Sequence, residues 1–441
     1  MINKINIENF KCYEKIEFDT SKVTLLTGAN SSGKSSLLYS ILGAIQSREF
    51  PFQFSPNGKY IKMGDFEEIV HNHDKSKLIK LEFEDDEEKQ KVTTYWSNDK
   101  VRNLPVLEKL YAESEVFSLK IEKVRKYDLK FEYFIDKDPN SYARSPEMIK
   151  KIMEIVESSI KTEKEGEEKI KGKFEKIKTK IEFKFSDFNE LEELLRNEQY
   201  YYLSSFKSSI SSMFNRFDDK INYISSFRLY PERTYYETSK KDLKVGKFGE
   251  NYEDQIIAWE TKKSPEYKEL ISILKDLGLL HEIKSKRLDG GRFEILIRTK
   301  ANGVWSSLSD VGFGISQFLP IIVADLQLGK RSTLFIAQPE IHLHPRIQAQ
   351  FGDYLVNRIT KENKRYIIET HSEYLINRIR LAIAKKTISQ QDVKTYFIDN
   401  NGIKAKHYNL SFLKNGQIKN APKSFFETYM LDVMNIAIEA E

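Results

Sequence analysis

The chain has 441 residues, 71 of them Lys or Arg and 66 Asp or Glu, so its formal net charge of +5 points only weakly to nucleic acid as a partner. Its length exceeds one ordinary hydrophobic core and predicts one large domain with an insertion, or two domains. The single cysteine, Cys12, excludes an intramolecular disulfide framework and a cysteine zinc site.

The N-terminal segment predicts strands that lead into a phosphate-binding loop. Apolar and polar residues alternate in two runs, INIENF and KIEFDT, and a continuous apolar run follows at residues 23–27. The next residues satisfy the P-loop pattern G-x-x-x-x-G-K-[ST] through Gly28, Gly33, Lys34 and Ser35. Apolar residues then recur at helical spacing. The alternative is a chance glycine loop, which the order of strand, loop and helix disfavours.

Each residue type in this loop has a physical reason to hold phosphate. Glycines let successive backbone N–H groups turn inward around phosphate oxygens, and the following helix adds the positive end of its dipole. We expect Lys34 to reach the β and γ phosphates of ATP, and the Ser35 hydroxyl to ligate Mg²⁺. The predicted nucleotide-binding residues of the loop are Asn30, Ser31, Ser32, Gly33, Lys34, Ser35 and Ser36.

The middle of the chain divides into two parts. Residues 50–135 include alternating runs such as LIKLEFE and predict mainly antiparallel strands. Residues 136–222 are rich in Lys, Glu, Ser and Tyr and lack buried apolar runs, so they predict an inserted α+β subdomain. Within it, Lys178, Lys180 and Lys184 share one face of a predicted strand. That face can bind a phosphate backbone, although nearby glutamates favour an ordinary solvated face.

Two later hydrophobic runs, STLFIAQPE and RYIIETHS, each predict a buried strand that ends in polar residues. In a parallel α/β sheet the C-terminal strand ends line the ligand crevice, so these polar side chains should converge on the P-loop phosphates. They are Gln338, Glu340, Glu369 and His371. A helix is predicted after each strand, the first of them with Pro345 at its first position.

In this order the motifs resemble those of the ABC-type ATPases of the OLD and structural-maintenance-of-chromosomes lineage. The resemblance covers residues 1–135 and about 222–430. In the first part it rests on NFKCYEKIEF before GANSSGKSSLL. In the second part it rests on SDVGFGISQFLPII, and on FIAQPEIHLHP followed by YIIETHSEYLINRIR. The chain resembles in particular the PtuA ATPases of Septu-type anti-phage defence systems. The resemblance implies an α/β P-loop head with a mixed sheet and an antiparallel β lobe, formed by 1–135 and 223–441 around the insertion 136–222.

The resemblance also implies roles for individual residues. In such proteins ATP lies between two heads, and each P-loop faces the signature motif of the other head, so a homodimer or a higher even-numbered oligomer is expected. The segment VGFGISQ resembles this motif, with Gly314 and Ser316 providing backbone N–H groups and a hydroxyl for the γ-phosphate. His371 matches the switch histidine that contacts this phosphate. His344 matches a position that shapes the turn into the next helix, which favours a structural role over a metal site with His342.

The segment before Pro339 departs from the pattern of the family. The family usually carries one or two acidic residues there, the first holding the water shell of Mg²⁺ and the second polarising the attacking water, but this chain has Ala337 and Gln338. A carboxylate can accept a proton from water, whereas Gln338 can only orient it. We therefore expect hydrolysis to be slow or absent, with Glu340 the nearest carboxylate that can substitute. The predicted catalytic residues are thus His371, Gln338 and Glu340.

Three functions are compatible with these features. The first is an ATP-dependent switch in which two heads close on ATP and control an effector nuclease during phage defence. The second is a DNA repair or chromosome-maintenance ATPase that binds DNA through the basic strand face. The third is a nucleotide-binding scaffold without hydrolysis, which Ala337 favours.

Two absences in the sequence bear on partners and compartment. OLD enzymes carry a TOPRIM nuclease with a D-x-D motif after the ATPase, and no D-x-D follows His371, so the nuclease is expected on a separate polypeptide. The Septu resemblance implies that it is of the HNH type. No stretch approaches the roughly 20 apolar residues that span a bilayer, and the N-terminus lacks a signal-peptide core, so we expect a cytoplasmic protein without a membrane partner.

Overall fold

The computed structural model describes residues 2–47, 50–86, 89–114, 117–125, 128–135, 177–180, 220–236, 244–422, 425 and 438–439. The chain divides into two compact units. The first comprises Met1–Phe10, Gly43–Gly58 and Lys62–Asn215, and the second Lys11–Leu42, Lys59–Ile61 and Arg216–Glu441. Most of the predicted insertion lies outside the described residues, so its existence as a subdomain stays a prediction.

In chain order the strands are β1 (Lys4–Phe10), β2 (Tyr13–Asp19), β3 (Val23–Gly28), β4 (Ile79–Asp85), β5 (Gln90–Asn98), β6 (Pro105–Glu113), β7 (Phe117–Arg125), β8 (Asp128–Ile135), β9 (Ile177–Lys180), β10 (Ile221–Ile224), β11 (Tyr235–Tyr236), β12 (Glu282–Leu288), β13 (Arg292–Arg298), β14 (Ser306–Ser307), β15 (Thr333–Ala337), β16 (Arg365–Glu369), β17 (Val393–Asn400), β18 (Ala405–Phe412) and β19 (Ile418–Lys419). The helices are α1 (Lys34–Gln46), α2 (Phe66–Ile69), α3 (Tyr252–Thr261), α4 (Pro265–Asp276), α5 (Phe313–Gln327), α6 (Pro345–Glu362) and α7 (Glu373–Ala384).

The first unit is built on an antiparallel sheet with the strand order β1-β4-β5-β6-β7-β8-β9. Successive side chains of a strand point to opposite faces, which places Leu81 and Phe83 of β4 on the buried face. The Phe50 ring packs against Phe83 and Trp96, with ring centroids 5.7 and 6.2 Å apart. The prediction of mainly antiparallel strands over residues 50–135 is confirmed for residues 79–135, whereas residues 50–78 contain the short helix α2 and no strand.

Strand β9 contains the first residues of the segment that carries the predicted basic face. It pairs with β8 in antiparallel register, Ile177 opposite Phe131 and Lys180 opposite Asp128. The rest of the predicted strand, and with it Lys184, lies outside the described residues. DNA binding by this face therefore stays a prediction.

The second unit contains a mixed sheet with the strand order β10-β15-β16-β3-β17-β18-β19. The first five strands of this order are parallel, and β18 and β19 are antiparallel to their neighbours. Every residue of β3 is buried, which explains its continuous apolar sequence because parallel strands are covered on both faces. The predicted α/β P-loop ATPase fold is confirmed.

The two helices that follow β15 and β16 begin where the sequence predicts. Pro345 is the first residue of α6, and the His344 side chain caps this helix by accepting a hydrogen bond from the Arg346 N–H at 3.3 Å. Helix α7 is capped by the Ser372 hydroxyl, which accepts from the Leu375 N–H at 3.1 Å. A structural role for His344 is therefore confirmed. A second, smaller sheet of β11, β13 and β12, with β14 paired to β13, completes the unit.

A group of charged and phenolic side chains is buried inside the second unit. The Asp325 carboxylate on α5 forms ion pairs with Arg358 at 3.1 Å and Lys364 at 3.3 Å. It also accepts hydrogen bonds from the hydroxyls of Tyr354 and Tyr366. Removing charges from water is costly unless they are paired, and here each of the carboxylate oxygens has partners. This cluster joins α5 to α6 and β16.

Candidate functional site

The P-loop between β3 and α1 has a backbone that only glycine can form at two positions. Gly28 has φ +139° and Gly33 has φ +111°, a region that other residues rarely adopt. A Cβ on Gly28 would lie 2.0 Å from the Ile398 carbonyl oxygen, and one on Gly33 would lie 2.5 Å from Cys12 Sγ. The Tyr13 hydroxyl further fixes the loop by donating to the Gly33 carbonyl at 3.1 Å.

The polar groups inside the loop fit a phosphate ligand. Lys34 is 3% exposed, and its Nζ donates to the carbonyls of Gly28 at 3.1 Å and Ala29 at 2.6 Å. Burial lowers the pKa of Lys34, while Glu369 and Glu340 act in the opposite direction. The Ser32 hydroxyl is buried without a hydrogen-bond partner among the described residues. Such a hydroxyl needs a partner that the protein does not supply, and a phosphate oxygen meets that need.

The remaining predicted residues of the loop lie around this cradle. Asn30 and Ser31 are exposed, and the Ser31 carbonyl accepts a hydrogen bond from Asn400 Nδ2 at 3.3 Å. The Ser36 hydroxyl lies 3.9 Å from Cys12 Sγ. Cys12 therefore packs under the start of α1.

Glu369, the last residue of β16, reaches directly into the P-loop. Its Oε2 accepts a hydrogen bond from the Ser35 hydroxyl at 2.8 Å. The side chain is buried, and burial raises the pKa of Glu369 above its ordinary value despite the hydrogen bond from Ser35 and the charge of Lys34. The predicted Mg²⁺ ligand Ser35 thus has a carboxylate as its neighbour.

Glu340 connects the segment after β15 to the segment after β16. Its Oε2 accepts from the Thr370 hydroxyl at 2.8 Å, and its Oε1 accepts from the His371 backbone N–H at 2.6 Å. Burial raises the pKa of Glu340. The His371 side chain is exposed, and desolvation followed by the Lys34 charge lowers its pKa. A neutral imidazole at pH 7 offers one donor and one acceptor to a ligand.

The two positions that depart from the acidic pattern are held by backbone contacts. Ala337 is paired with Glu369 across the parallel strands β15 and β16. Gln338 has a left-handed backbone, φ 46°, and its N–H donates to the Glu369 carbonyl at 2.7 Å. The amide side chain of Gln338 is partly exposed and can orient a water molecule, but it cannot take a proton from one.

The segment that resembles a signature motif forms the start of α5. A Cβ on Gly314 would lie 2.4 Å from the His342 carbonyl oxygen, so the helix start packs tightly on the segment after β15. Ser316 is 1% exposed, and its hydroxyl donates to the Phe313 carbonyl at 2.8 Å. A contact between Ser316 and a phosphate would therefore require this hydroxyl to turn outward from its own helix.

Arg228 joins the start of α5 to the end of β15. It is 2% exposed and donates hydrogen bonds to four backbone carbonyls. The acceptors are Ser225 at 3.0 Å, Gln317 at 3.1 Å, Ala337 at 3.0 Å and Gln338 at 2.9 Å. Burial lowers the pKa of Arg228 to about 10, so the group stays charged at neutral pH. Sequence reasoning missed this role because no periodic pattern marks a buried arginine in a connecting segment.

Glu369 is the second residue whose role the sequence left open. Its position at the end of a predicted strand indicates that it faces the ligand crevice. Its contact with Ser35 depends on β16 lying next to β3, and the strand order of a sheet is not written in any local pattern. The structure brings together Lys34, Ser35, Glu369, Glu340 and the His371 backbone, whereas Gly314 and Ser316 contact the segments around Phe313 and His342.

A buried parallel strand, a glycine-lined loop with Lys34 and Ser35, and a following helix define a P-loop ATPase. A family model described as AAA ATPase domain matches residues 1–376. The chain therefore belongs to the AAA ATPase domain family. No curated protein matches the chain.

Several solved structures are similar to the chain at low identity. An SMC head domain from Thermotoga maritima is 8% identical, with 93% of this chain and 99% of that chain covered and a TM-score of 0.35. A second structure is the Smc head domain with an extended coiled coil bound to the C-terminal domain of ScpA, derived from Pyrococcus furiosus. It is 11% identical, with 100% of this chain and 99% of that chain covered and a TM-score of 0.38. An SmcHead bound to the C-winged helix domain of ScpA is 12% identical, with 94% and 98% covered and a TM-score of 0.38. Likeness at this level says nothing about function.

Among the residues that the structure describes, no group of three or more His, Cys, Asp or Glu side chains is placed to hold a metal ion. None of the helices described is both long and apolar enough to cross a membrane.

Proposed function

We propose that this chain is an ABC-type ATPase head that binds ATP with Mg²⁺ in its P-loop and closes on it with a second copy. The observation that carries the proposal is the P-loop itself, where the buried Lys34 and the unpartnered Ser32 hydroxyl surround a glycine-lined cradle. Backbone N–H groups at the start of α1 and the Lys34 ammonium would hold the β and γ phosphates. Ser35 would hold Mg²⁺, which neutralises charge on the phosphates when it is bound.

The position of the signature segment supports a second head in this proposal. Gly314 and Ser316 lie at the start of α5, where a Cβ on Gly314 would meet the His342 carbonyl and the Ser316 hydroxyl donates to the Phe313 carbonyl. Their proposed ligand is the γ-phosphate held by the P-loop of another copy. Arg228 supports coupling between the two sites of one head because the same guanidinium binds carbonyls at Gln317 and Gln338.

Slow hydrolysis is the third part of the proposal. Gln338 orients water without accepting its proton. Both carboxylate oxygens of Glu340 are engaged, one by the Thr370 hydroxyl and the other by the His371 N–H. Glu340 therefore acts as a positioning group for the switch segment, and His371 is the proposed contact to the γ-phosphate. A bound nucleotide would persist long enough to hold two heads together.

The biological role in this proposal rests on the sequence resemblance to Septu-type ATPases. In that role the ATP-closed heads control a separate effector nuclease of the HNH type during anti-phage defence in the bacterial cytoplasm. A neighbouring reading frame that encodes a small HNH protein would support the role. Copurification of that protein with the ATP-bound form, and its release after the nucleotide is removed, would test the control step.

Sedimentation velocity with and without ATP tests the head-closure part. The wild type should shift from monomer towards dimer, or to a higher even-numbered oligomer, when ATP and Mg²⁺ are added. Lys34→Ala should not shift because it lacks the ammonium that holds the phosphates. Ser316→Ala should still bind ATP but should not shift, since the Ser316 hydroxyl is proposed to act on the nucleotide of the partner, and alanine adds no atom to this tightly packed helix start. Saturating ATP binding by the wild type without any change in sedimentation would contradict head closure.

A nucleotide-binding scaffold without hydrolysis is the second candidate, and Ala337 is the observation that favours it. The two candidates differ in phosphate release. A head that switches should release phosphate slowly and return to the monomer, whereas a scaffold should retain ATP indefinitely. Single-turnover measurement of phosphate release distinguishes them.

A further inference from the structure

The ATPases that this chain resembles usually carry their first acidic residue before the proline at the position of Ala337. The next strand of the sheet supplies a carboxylate at the same level. Ala337 on β15 and Glu369 on β16 are paired in parallel register, so the two side chains point to the same face of the sheet. Strand β16 lies between β15 and the P-loop strand β3, and Glu369 is paired with Leu26 of β3.

The Glu369 side chain is directed at the metal-binding side of the P-loop. Its Oε2 lies 2.8 Å from the Ser35 hydroxyl that donates to it. The carboxylate is 7% exposed, so solvent screens it little. Its charge also acts on Lys34. P-loop ATPases hold Mg²⁺ with the Ser or Thr that follows the P-loop lysine and with a nearby carboxylate. A buried carboxylate in contact with the Ser35 hydroxyl is suited to that second role.

The other nearby carboxylate is tied to a different segment. Glu340 accepts hydrogen bonds from the Thr370 hydroxyl and from the His371 N–H, one at each oxygen, so its contacts are with the segment after β16. Glu369 is in direct contact with Ser35 and keeps acceptor capacity beside it. Of the two, Glu369 is the carboxylate placed to act on a cation beside Ser35.

We propose that Glu369 replaces the missing acid at position 337, and that it holds Ser35 and the water shell of Mg²⁺ from the neighbouring strand. This inference rests on the proposed function, because it requires ATP in the P-loop. It assigns Glu369 a positioning role that acts through Ser35 and water. The chain thus retains a carboxylate on the metal side of the site although its strand β15 ends in Ala337 and is followed by Gln338.

The test is the affinity of the full-length protein for ATP, measured by isothermal titration with Mg²⁺ and again with EDTA. Glu369→Gln keeps the size of the side chain and an acceptor for Ser35 but removes the charge. The variant should lose a factor of about 10 to 100 in affinity for the metal in the ATP complex, as is typical for outer-shell ligands. Its affinity for ATP in EDTA should not fall, because a negative charge beside the phosphates has been removed.

Two further variants separate positioning from general damage to the fold. Ala337→Asp combined with Glu369→Gln places a carboxylate at the paired position and should restore at least part of the Mg²⁺ effect. Glu282→Gln is the matched control, since Glu282 forms a partly exposed ion pair with Arg298 in the smaller sheet, away from the P-loop, and its ATP affinity should equal that of the wild type with Mg²⁺ and with EDTA. Electron paramagnetic resonance of bound Mn²⁺ gives an independent readout of the metal in each variant.

The outcomes distinguish this inference from the proposed function. If the wild type binds no ATP under either condition, the proposed function fails and the inference fails with it. If the wild type binds ATP and Glu369→Gln shows the same Mg²⁺ dependence, the inference alone is overturned. If Glu369→Gln weakens binding equally with Mg²⁺ and with EDTA, and the double variant restores nothing, Glu369 has only a structural role and the inference is also overturned.

Discussion

Replacing Arg228 with lysine should weaken the contact between the start of α5 and the end of β15. Arg228 is buried and donates to the carbonyls of Ser225, Gln317, Ala337 and Gln338 at 2.9 to 3.1 Å. A lysine keeps the charge but brings one nitrogen in place of the planar fork, so it leaves two or three of these acceptors without a donor. Each unpaired buried acceptor costs about 1 kcal/mol or more. We therefore expect Arg228→Lys to lower the free energy of unfolding by about 2–4 kcal/mol.

Urea unfolding followed by tryptophan fluorescence measures this change, because Trp259 and Trp305 lie in the second unit. Hydrogen exchange should also rise in peptides that cover residues 313–317 and 334–338. The matched control is Arg233→Lys, which changes an exposed ion pair with Asp310 and should stay within about 0.5 kcal/mol of the wild type. If Arg228→Lys is as stable as this control and its exchange is unchanged, the four hydrogen bonds do not join these segments.

Three other predictions concern the second unit. Asp325→Ala leaves Arg358 and Lys364 buried without their carboxylate. It should lower the free energy of unfolding, measured in urea, by about 3–5 kcal/mol. A loss below about 1 kcal/mol would refute the pairing argument. Burial raises the pKa of Glu253 to about 8, so the folded state keeps a proton that the unfolded state has released, and stability should fall as pH rises from about 4.5 to 8. Glu253→Gln should be more stable than the wild type at pH 9 by about 1–2 kcal/mol, because the partial exposure of Glu253 reduces the cost of its charge. At pH 4 the two proteins should be equally stable. Equal thermal melts at pH 9 would contradict this prediction. Gly33→Ala places a Cβ 2.5 Å from Cys12 Sγ at a positive φ and should lower ATP affinity at least tenfold in fluorescence titration, and unchanged affinity would show that this backbone is not required.

The elements around the P-loop could be predicted from the sequence because their signals are local. A buried parallel strand reads as a continuous apolar run, and a P-loop has fixed spacing between its glycines and lysine. Proline at the first position of α6 is likewise a local signal. These features lie within a few residues of one another, so chain order alone is enough to find them.

The contacts that decide the chemistry of the site are not local. Glu369 meets Ser35 across 334 positions of sequence, and this contact depends on β16 lying between β15 and β3. Arg228 binds the Gln338 carbonyl across 110 positions. Strand order and the path of a connecting segment come from packing of the whole unit, so the sequence predicted that strand ends converge without predicting which carboxylate contacts the P-loop.

The signature segment shows a different limit. The sequence predicts a helix start with Gly314 and Ser316, and α5 begins there. The side-chain conformation of Ser316 is set by its bond to the Phe313 carbonyl. A serine in the first turn of a helix can bond to its own backbone or outward to a ligand. The pattern does not distinguish these two states, and the proposed second head would select the outward one.

Equilibrium dialysis of labelled ATP against the wild type and Lys34→Ala tests the central claim most directly, namely that the loop of residues 28–36 is a nucleotide site. Lys34 is buried in the loop, where its ammonium binds the carbonyls of Gly28 and Ala29. The account predicts one ATP per chain for the wild type in the presence of Mg²⁺ and no measurable retention by a folded Lys34→Ala variant. Equal retention of ATP by both proteins would contradict it.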